Sequence, residues 1–491
     1  MFNAAPVSVA GKAVKGIAWN LGTGLGVRVL GMVGTLVLTH FIAPYEYGEV
    51  ASASTFVLSA ALFSTIGFGQ YIIARKAGPE ETFHVTVFHI GLGLIAFSIV
   101  LALGGPLGKL VDAPRMARFM PGLALAAFFE RIQYVPERLL SRQLRFRTIA
   151  LSRASGEIAF TTVSLLLARQ YGGYAIVCGN LARGGLVALL MALSADRREW
   201  LTPTRLRKDV SARLFKYGLP ISVGGAAEFV SQKWDNLLVS AMYGPELMGQ
   251  YVLAYNLAET PTGAVADQIG AVLLPSFAAM EPDERKAALV RSASLMGLLV
   301  FPLAVGLGAV ASTFVHTFFD RAWWDVAPLL TVLSILSVVK PLTWTLVAFT
   351  HAQQRPRVIM FMGIFKAVTL LLFILVLGRF SIMWLCYSVG LAFAAYFFTF
   401  LWTLQRADGV PFLAYLLRTA PPLLACVPMV VTVLAVRRGM LAAEYAQGKT
   451  MLIVEVIVGA LTYVASALVI AHSTSRDFLN LLRNALRRRR A

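Results

Sequence analysis

Long apolar runs recur along the chain, and short polar or basic stretches separate them. Runs such as VLGMVGTLVLTHFIA and MLIVEVIVGALTYVASALVI do not alternate between polar and apolar residues, as membrane β-strands do. About 20 apolar residues in an α-helix cross roughly 30 Å of hydrocarbon. The pattern therefore predicts an all-α polytopic membrane protein with about 14 transmembrane helices. The predicted helices lie at 16–42, 48–73, 82–104, 117–140, 145–169, 172–194, 218–243, 248–279, 288–310, 326–349, 355–377, 380–404, 417–436 and 451–472.

Composition supports this class. The chain is 58% hydrophobic and 14% charged, whereas a soluble protein carries about 25% charged residues. Its mean hydropathy of +0.71 is too high for one soluble core. The three cysteines lie inside apolar segments without metal-ligand spacing. We therefore expect no disulfide framework, no metal site and no cofactor.

The distribution of Lys and Arg predicts the orientation. With the amino terminus in the cytoplasm, the even-numbered connections and both ends carry about three times as many Lys and Arg as the odd-numbered connections. Both termini are therefore predicted to be cytoplasmic. The net charge of +19 then faces anionic membrane lipids, and we expect no nucleic-acid partner. The residues that oppose this orientation are Lys109, Arg115, Arg118, Arg437, Arg438 and Lys449.

A short turn occurs twice in the chain. APYEYGEV contains Pro44 and Gly48, and GPELMGQY contains Pro245 and Gly249. The same offset aligns TLVLTHFIAPYEYGEV with NLLVSAMYGPELMGQY. In each copy, proline ends one helix and glycine lies at the start of the next. The chain therefore contains an internal repeat.

The repeat predicts the domain organisation. Residues 1–205 form an N-terminal six-helix lobe and 206–405 a C-terminal six-helix lobe. Because six is even, both lobes start on the same side of the membrane and are parallel repeats. Two such lobes around a central cleft are typical of a transporter. Residues 406–472 add two transmembrane helices, and 473–491 form a basic cytoplasmic tail.

Charged residues inside the apolar segments are the candidate site residues. Such charges are costly in lipid and normally face a protein interior or a wet cavity. The candidate substrate-binding cations of the cleft are Arg28, Arg153, Arg183 and Lys233. The carboxylates, with ion coupling or charge pairing as alternative roles, are Glu157, Glu228, Asp235, Glu259 and Asp267. Further charges and a proline interrupt the predicted helix 117–140, namely Glu130, Arg131, Pro136, Glu137 and Arg138.

Spacing suggests different roles for these cations. Arg153 and Glu157 are four residues apart on one helix and are expected to pair. Arg28 and Arg183 have no carboxylate at three or four residues, which favours a cavity role. The repeat places Arg28 about one helical turn from the position of Lys233, so we expect both to point towards the central axis. Neighbouring carboxylates could neutralise Lys233.

Several local runs together resemble a known family. They are GQY at 249–251, LAYNLA at 253–258, LLPSFA at 273–278, FFDRAW at 318–323 with Pro328, and the turn from Pro44 to Gly48. Their order and spacing are similar to those of bacterial Wzx-type polysaccharide flippases of the colanic-acid and succinoglycan type. These belong to the multidrug/oligosaccharidyl-lipid/polysaccharide exporter superfamily. The resemblance covers essentially the whole chain.

The resemblance implies a bacterial inner-membrane protein that is not an enzyme. Such a protein moves an undecaprenyl-diphosphate-linked oligosaccharide repeat unit to the outer leaflet, for exopolysaccharide or lipopolysaccharide synthesis. A periplasmic polymerase and a chain-length co-polymerase are the implied partners. Drug exporters of the superfamily often carry a coupling carboxylate on the first helix, where this chain has Arg28. That departure favours an anionic cargo.

Two alternatives remain at this stage. A cation-coupled small-molecule exporter of the same fold would have an acidic, aromatic cavity. A membrane-bound polymerase or ligase would need a large periplasmic loop with catalytic residues, and the predicted periplasmic loops are short.

We expect the tail after His472 to be cytoplasmic and the turn at Tyr45 to be periplasmic, because the basic connections lie inside. A membrane-impermeant thiol reagent added to whole cells should label a Tyr45→Cys variant and spare an Ala491→Cys variant. Both are made after the three native cysteines have been replaced. Labelling at position 491 with none at 45 would reverse the orientation.

Overall fold

The computed structural model describes residues 26, 30–62, 66–444 and 448–488, and this part of the chain is helical and contains no β-strand. The helices are α1 (30–38), α2 (Pro44–Leu62), α3 (Phe68–Ala74), α4 (Pro79–Leu110), α5 (Met120–Arg142), α6 (Phe146–Tyr171), α7 (Gly173–Ser194), α8 (Arg197–Trp200), α9 (Lys208–Ala278), α10 (Pro282–Phe318), α11 (Val326–Leu336), α12 (Val339–Ala352), α13 (Pro356–Leu377), α14 (Ile382–Asp408), α15 (Phe412–Leu424), α16 (Cys426–Ala442), α17 (Lys449–Ile470) and α18 (His472–Arg488).

The all-α membrane class predicted from the sequence is confirmed. Eight of the described helices or helix pairs are long and apolar enough to cross a membrane: α4, α7, α10, α11 with α12, α13, α14, α15 with α16, and α17. Helices with more charge, such as α5 and α6, fall outside that apolar set. The total of about fourteen spans stays a prediction.

Prolines divide two of the predicted spans, 326–349 and 417–436, into helix pairs. Pro341 has no amide proton for the carbonyl of Ser337, and the break between α11 and α12 falls there. Pro428 has the same position relative to the break between α15 and α16. Each of these spans is therefore interrupted where an internal hydrogen bond is missing.

Other boundaries also differ from the prediction. The predicted helix 48–73 corresponds to α2 and α3, which are separate helices. By contrast, the helices predicted at 218–243 and 248–279 are found as two helices within α9, because the backbone at Gly244 is non-helical, with φ 77° and ψ 174°. Glycine tolerates this positive φ, and the following proline disfavours a helical conformation at the residue before it. The charged segment at 117–140 is a continuous helix, α5, despite its internal proline.

Packing divides the chain into an N-terminal unit, residues 1–249, and a C-terminal unit, residues 250–491. The N-terminal unit includes the first part of α9, which contacts α2 and α3. Phe215 meets Phe68 edge-on at 5.5 Å between ring centroids. Trp234 Nε1 donates a hydrogen bond to Ser59 Oγ at 3.1 Å. The predicted boundary at residue 205 was drawn from sequence similarity between the repeats, whereas the boundary at 249 reflects packing. The boundary between the repeats stays a prediction.

The repeated segments are not turns between helices as predicted: Pro44 begins α2, and Pro245 begins the part of α9 that follows Gly244. The two copies contact each other inside the N-terminal unit. A Cβ added at Gly48 would overlap the carbonyl oxygen of Pro245 and lie 2.9 Å from the amide nitrogen of Gly249. A Cβ added at Gly249 would overlap the carbonyl oxygen of Pro44 and lie 3.0 Å from the amide nitrogen of Gly48. Both glycines thus allow backbone-to-backbone contact between the repeats, a role that the sequence alone did not reveal.

In the described residues of the N-terminal unit, two apolar clusters lie towards opposite ends of the helices. One joins α2, the first turns of α5 and α7, and the end of α6, with Leu123, Ala168 and Ala175 among its buried residues. The other joins α3, the end of α5 and α7, and the start of α6, with Leu139 and Met191. The middle of α5, α6 and α7 belongs to neither cluster. That middle layer is where the polar residues lie.

The C-terminal unit is built around α10, and α16 and α17 are held to it by a buried ion pair. Arg437 Nε donates to Glu455 Oε1 at 2.8 Å, and Thr313 Oγ1 on α10 donates to the same oxygen at 2.9 Å. Arg437 also donates to the carbonyl of Ala309. Arg437 and Arg438 therefore lie within α16 rather than in a loop, whereas the predicted helix ended at 436. The predicted orientation stays a prediction.

We expect Gly48→Ala and Gly249→Ala each to destabilise the protein by about 1–3 kcal/mol, the usual cost of overpacking, and Val to cost more. The added carbon has no space beside the facing carbonyl. Gly224→Ala on α9 is the matched control, because a Cβ there would have no neighbour within 4 Å. The measurement is thermal unfolding of the detergent-purified variants. Full stability of either turn variant, or a loss equal to that of the control, would contradict the packing.

Candidate functional site

A polar layer crosses the N-terminal unit midway along three helices. Glu130 and Gln133 lie at the middle of α5, Glu157 at the middle of α6, and Arg183 at the middle of α7. The two apolar clusters lie on either side of this layer. Charge at the middle of an apolar bundle is costly and generally marks a functional site.

Small residues bring these helices close enough to form the layer. Gly184 packs on α5, where an added Cβ would lie 2.9 Å from the carbonyl oxygen of Ala126. Gly156 on α6 leaves room for α7, since its Cβ would lie 3.2 Å from Arg183 Cγ. Contacts of this kind let helix backbones approach in membranes. The stem of Arg183 is thereby fixed between α5 and α6.

Arg183 is held by three groups. Its Nη2 donates to Asn180 Oδ1 at 2.6 Å, one turn earlier on α7. Its Nη1 lies 3.6 Å from Glu157 Oε2, and its guanidinium lies 5.3 Å from the ring centroid of Phe160. The arginine side chain is 38% exposed and the carboxylate 19%. The Asn180 hydrogen bond is short, whereas the ion pair with Glu157 is long.

Arg153 does not pair with Glu157 as the sequence spacing suggested. Its Nη2 donates instead to Glu137 Oε1 on α5 at 2.7 Å. Glu157 faces Arg183 on α7 and also lies beside α1, where a Cβ at Gly31 would be 3.0 Å from Oε1. The prediction failed because a carboxylate on the same helix competes for the arginine with carboxylates on neighbouring helices. A spacing of four residues on one helix does not decide which carboxylate the arginine binds.

An open cavity of about 260 Å³ lies against this layer. Its lining residues are Glu130, Gln133, Arg153, Glu157, Arg183, Gly184 and Val187. A smaller cavity of about 60 Å³ adjoins it and shares Glu130 and Arg183. The wall of the larger cavity thus carries two arginines and two glutamates, so an anion there would compete with the carboxylates for the guanidinium groups.

Three of the candidate site residues predicted from the sequence lie on α9, outside the polar layer, namely Glu228, Lys233 and Asp235. Glu228 Oε1 accepts a 2.6 Å hydrogen bond from Gln232 Nε2, and Asp235 is buried. Lys233 is half-buried. Its neutralisation by a neighbouring carboxylate stays a prediction. Its predicted cargo contact stays a prediction.

A second charged cluster lies in the C-terminal unit. Lys340 Nζ donates to the hydroxyl of Tyr255 at 2.8 Å and lies 3.6 Å from Glu259 Oε1. The rings of Tyr255 and Phe393 lie 4.3 and 4.7 Å from the ammonium nitrogen. The adjoining cavity is only about 10 Å³, room for one water at most. This lysine is therefore enclosed, and Glu259 is its paired charge.

Two of the sequence candidates cannot be placed. Arg28 lies outside the described residues, and the side chain of Asp267 is likewise outside the description. Their predicted roles, in cargo binding and in ion coupling or charge pairing, stay predictions.

The partners of the arginines do not follow from the sequence. Glu130 and Glu137 are visible there as charges in an apolar segment, which predicts only interruptions of a helix. Their position in α5 was the signal that they belong to a polar layer. Gln133 and Asn180 are uncharged and gave no comparable signal.

Comparison with known proteins assigns the family. A family model described as "Polysaccharide biosynthesis protein" matches residues 37–328. The succinoglycan biosynthesis transport protein ExoT of Rhizobium meliloti (strain 1021) is 24% identical over 490 residues, 97% of each chain. The lipopolysaccharide biosynthesis protein WzxC of Escherichia coli (strain K12) is 22% identical over 368 residues, 73% of this chain and 74% of WzxC.

Solved structures confirm the fold. The lipid II flippase MurJ, in its inward closed conformation, aligns with a TM-score of 0.75 at 12% identity, over 92% of this chain and 98% of MurJ. An inward-facing multidrug resistance MATE transporter of the MOP superfamily aligns with a TM-score of 0.60 at 15% identity, over 78% of this chain and 95% of that one. The chain therefore has the transporter fold shared by these proteins.

We expect Lys340→Met to destabilise the protein by about 1.5–3 kcal/mol, as for loss of a hydrogen bond to a charged group. The change keeps the stem but removes the charge that Tyr255 and Phe393 surround. Glu259→Gln should cost under about 1 kcal/mol, because that carboxylate is 42% exposed and 3.6 Å away. Thermal unfolding in detergent compares the two. Equal losses, or a larger loss for Glu259→Gln, would contradict an enclosed lysine.

Proposed function

The chain belongs to the polysaccharide biosynthesis protein family, and from this premise we propose that it is a flippase for lipid-linked oligosaccharides. Its cargo is an undecaprenyl-diphosphate-linked repeat unit, carried from the inner to the outer leaflet for exopolysaccharide or lipopolysaccharide synthesis. The relatives named for succinoglycan transport and lipopolysaccharide biosynthesis support this assignment. The protein performs transport rather than a chemical reaction.

The polar layer around Arg183 is the observation that carries the proposal. A diphosphate and its sugars cannot enter hydrocarbon, whereas the polyprenyl tail can stay in it. Arg183 provides a planar guanidinium at the middle of an apolar helix, beside a cavity. Guanidinium groups bind phosphate oxygens with two parallel hydrogen bonds. The layer is therefore suited to the headgroup of the cargo.

The neighbours of Arg183 suggest how the site works when it is empty. A cation at the middle of an apolar helix is costly without a counter-charge, so Glu157 stabilises the half-buried Arg183 in the empty site. At 3.6 Å that pair is loose, whereas Asn180 holds the guanidinium at 2.6 Å. We infer that a phosphate oxygen replaces Glu157 on Arg183 while Asn180 and Phe160 keep the guanidinium in position. Glu157 then competes with the cargo and helps to release it.

Arg153 is assigned a secondary role. Its side chain is 61% exposed and lines the same cavity, where it is paired with Glu137. It would attract the headgroup before Arg183 binds it. Arg28 and Lys233 remain proposed contacts of the diphosphate.

The membrane potential can drive the outward step. Moving one charge is worth about 2.3 kcal/mol per 100 mV, so a headgroup with about two negative charges gains roughly 4–5 kcal/mol when the cell interior is negative. Rocking of the two repeat lobes would expose the site alternately to each side. A location in the bacterial inner membrane, with both termini cytoplasmic, fits this direction of transport. A periplasmic polymerase and its chain-length co-polymerase would then use the exported units.

The proposed activity is tested in a strain that lacks the gene. Lipid-linked repeat units should accumulate on the cytoplasmic side, secreted polysaccharide should fall, and the intact gene should restore both. Cation-dependent drug resistance that follows the gene, with normal repeat-unit export in its absence, would favour a small-molecule exporter instead.

We expect Arg183→Ala to lower polysaccharide export at least about tenfold at normal protein levels, since a phosphate contact worth about 1.5 kcal/mol or more is lost. Arg183→Lys should retain part of the export, because charge survives without the planar fork. Glu157→Gln should still bind the cargo, because the competing charge is gone.

The matched control is Arg169→Ala, an exposed arginine near the end of α6 and outside the polar layer. Export is measured as secreted polysaccharide, membrane protein by blot, and cargo binding as co-purified polyprenyl diphosphate. Normal export by a well-expressed Arg183→Ala protein would remove Arg183 from the site. Loss of binding in Glu157→Gln would overturn the proposed competition.

A further inference from the structure

The last described helix, α18, begins immediately after the apolar span α17. Only Ala471 separates Ile470, the end of α17, from His472, the start of α18. α18 extends over 17 residues, HSTSRDFLNLLRNALRR, and its last two residues begin a run of four arginines at 487–490 in the sequence. Because α17 is long and apolar enough to cross the membrane, α18 starts where that span ends. Its charges exclude a second crossing.

The start of α18 is fixed to the C-terminal unit. Thr474 and Ser294 on α10 share a hydrogen bond of 2.6 Å between their hydroxyls. Asp477 lies 3.1 Å from Arg291 on α10 and 3.6 Å from Arg418 on α15. The ring of Phe478 packs against the main apolar cluster of this unit. These contacts hold the first turns in one orientation.

Beyond these turns, the helix has one apolar and one basic face. Leu481 lies one turn after Phe478 on the same face and is 49% exposed, and Leu479, which follows Phe478 at the other edge of the apolar face, is 42% exposed. Arg476, Asn480 and Arg483 follow at helical spacing on another face, and all three are exposed. The apolar face that begins in the protein core thus continues outside it.

We propose that α18 lies in the membrane interface and binds an anionic phospholipid surface. The exposed leucines enter the acyl boundary while the arginines contact lipid phosphates, as in interfacial amphipathic helices. The position next to a span, the exposed leucines and the basic end all favour lipid over a protein partner. Arginine clusters beside a span at a membrane surface are attracted to anionic lipids. This inference does not depend on the proposed transport activity.

The test uses the full-length protein in lipid nanodiscs, with the three native cysteines replaced by serine. Spin labels are placed singly at Leu481→Cys, on the apolar face, and at Arg483→Cys, on the basic face. Val469→Cys on α17, an exposed position within the span, is the lipid reference. Collision rates with oxygen, which concentrates in lipid, and with a water-soluble nickel chelate are compared in discs with and without phosphatidylglycerol.

With phosphatidylglycerol, the oxygen-to-nickel ratio at 481 should approach that at 469 and exceed that at 483 several-fold. In neutral discs, or with Arg476→Gln, the ratio at 481 should fall. A label at 481 that is as accessible to water as the label at 483 in anionic discs would overturn the proposal. An equal ratio at 481 in anionic and neutral discs would also overturn it, because anionic lipid would then have no part in holding the helix.

Discussion

A charge within the hydrocarbon layer must be solvated by the protein itself, because lipid offers neither counter-ions nor hydrogen bonds. The arrangement of α5, α6 and α7 follows from this constraint. Each of these helices carries polar residues at its middle, and close packing at Gly156 and Gly184 brings those residues together. The apolar clusters lie on either side of the layer. The polar residues therefore depend on the small residues around them, which allow the helices to approach.

Three cations satisfy this constraint in different ways. The differences distinguish charges that stabilise the fold from a charge that can bind a ligand. Arg437 is joined to Glu455, which is fully buried, and this pair fastens α16 and α17 to α10. Lys340 is enclosed by a tyrosine hydroxyl, two rings and a carboxylate, with almost no free volume beside it. Arg183 alone of these three borders a cavity of about 260 Å³ and has a loosely held carboxylate partner. Replacing one weak partner is the smallest rearrangement that would admit an anion.

The repeated turn meets a different requirement, close contact between backbones. Gly48 and Gly249 face each other across the two copies, so the motif is preserved in both for one shared reason. Nearby, Ser52 Oγ donates to Ser240 Oγ at 3.1 Å, and Ser240 Oγ donates to the carbonyl of Val111 at 2.8 Å. The turns thus belong to a packed junction within the N-terminal unit. A side chain on either glycine would separate the two backbones.

The sequence by itself determined the all-α membrane class, the internal repeat and the family, because these follow from long apolar runs, a fixed offset and ordered motifs. It also indicated Arg183 as a cavity residue without a carboxylate partner on its own helix. Only the tertiary structure decided which partner, since Glu157 pairs with Arg183 across helices and Arg153 with Glu137. Sequence spacing describes neighbours on one helix, whereas ion pairs within a bundle depend on how helices pack. The breaks at Pro341 and Pro428 show the same limit, because hydropathy registers apolar length but not a missing amide proton.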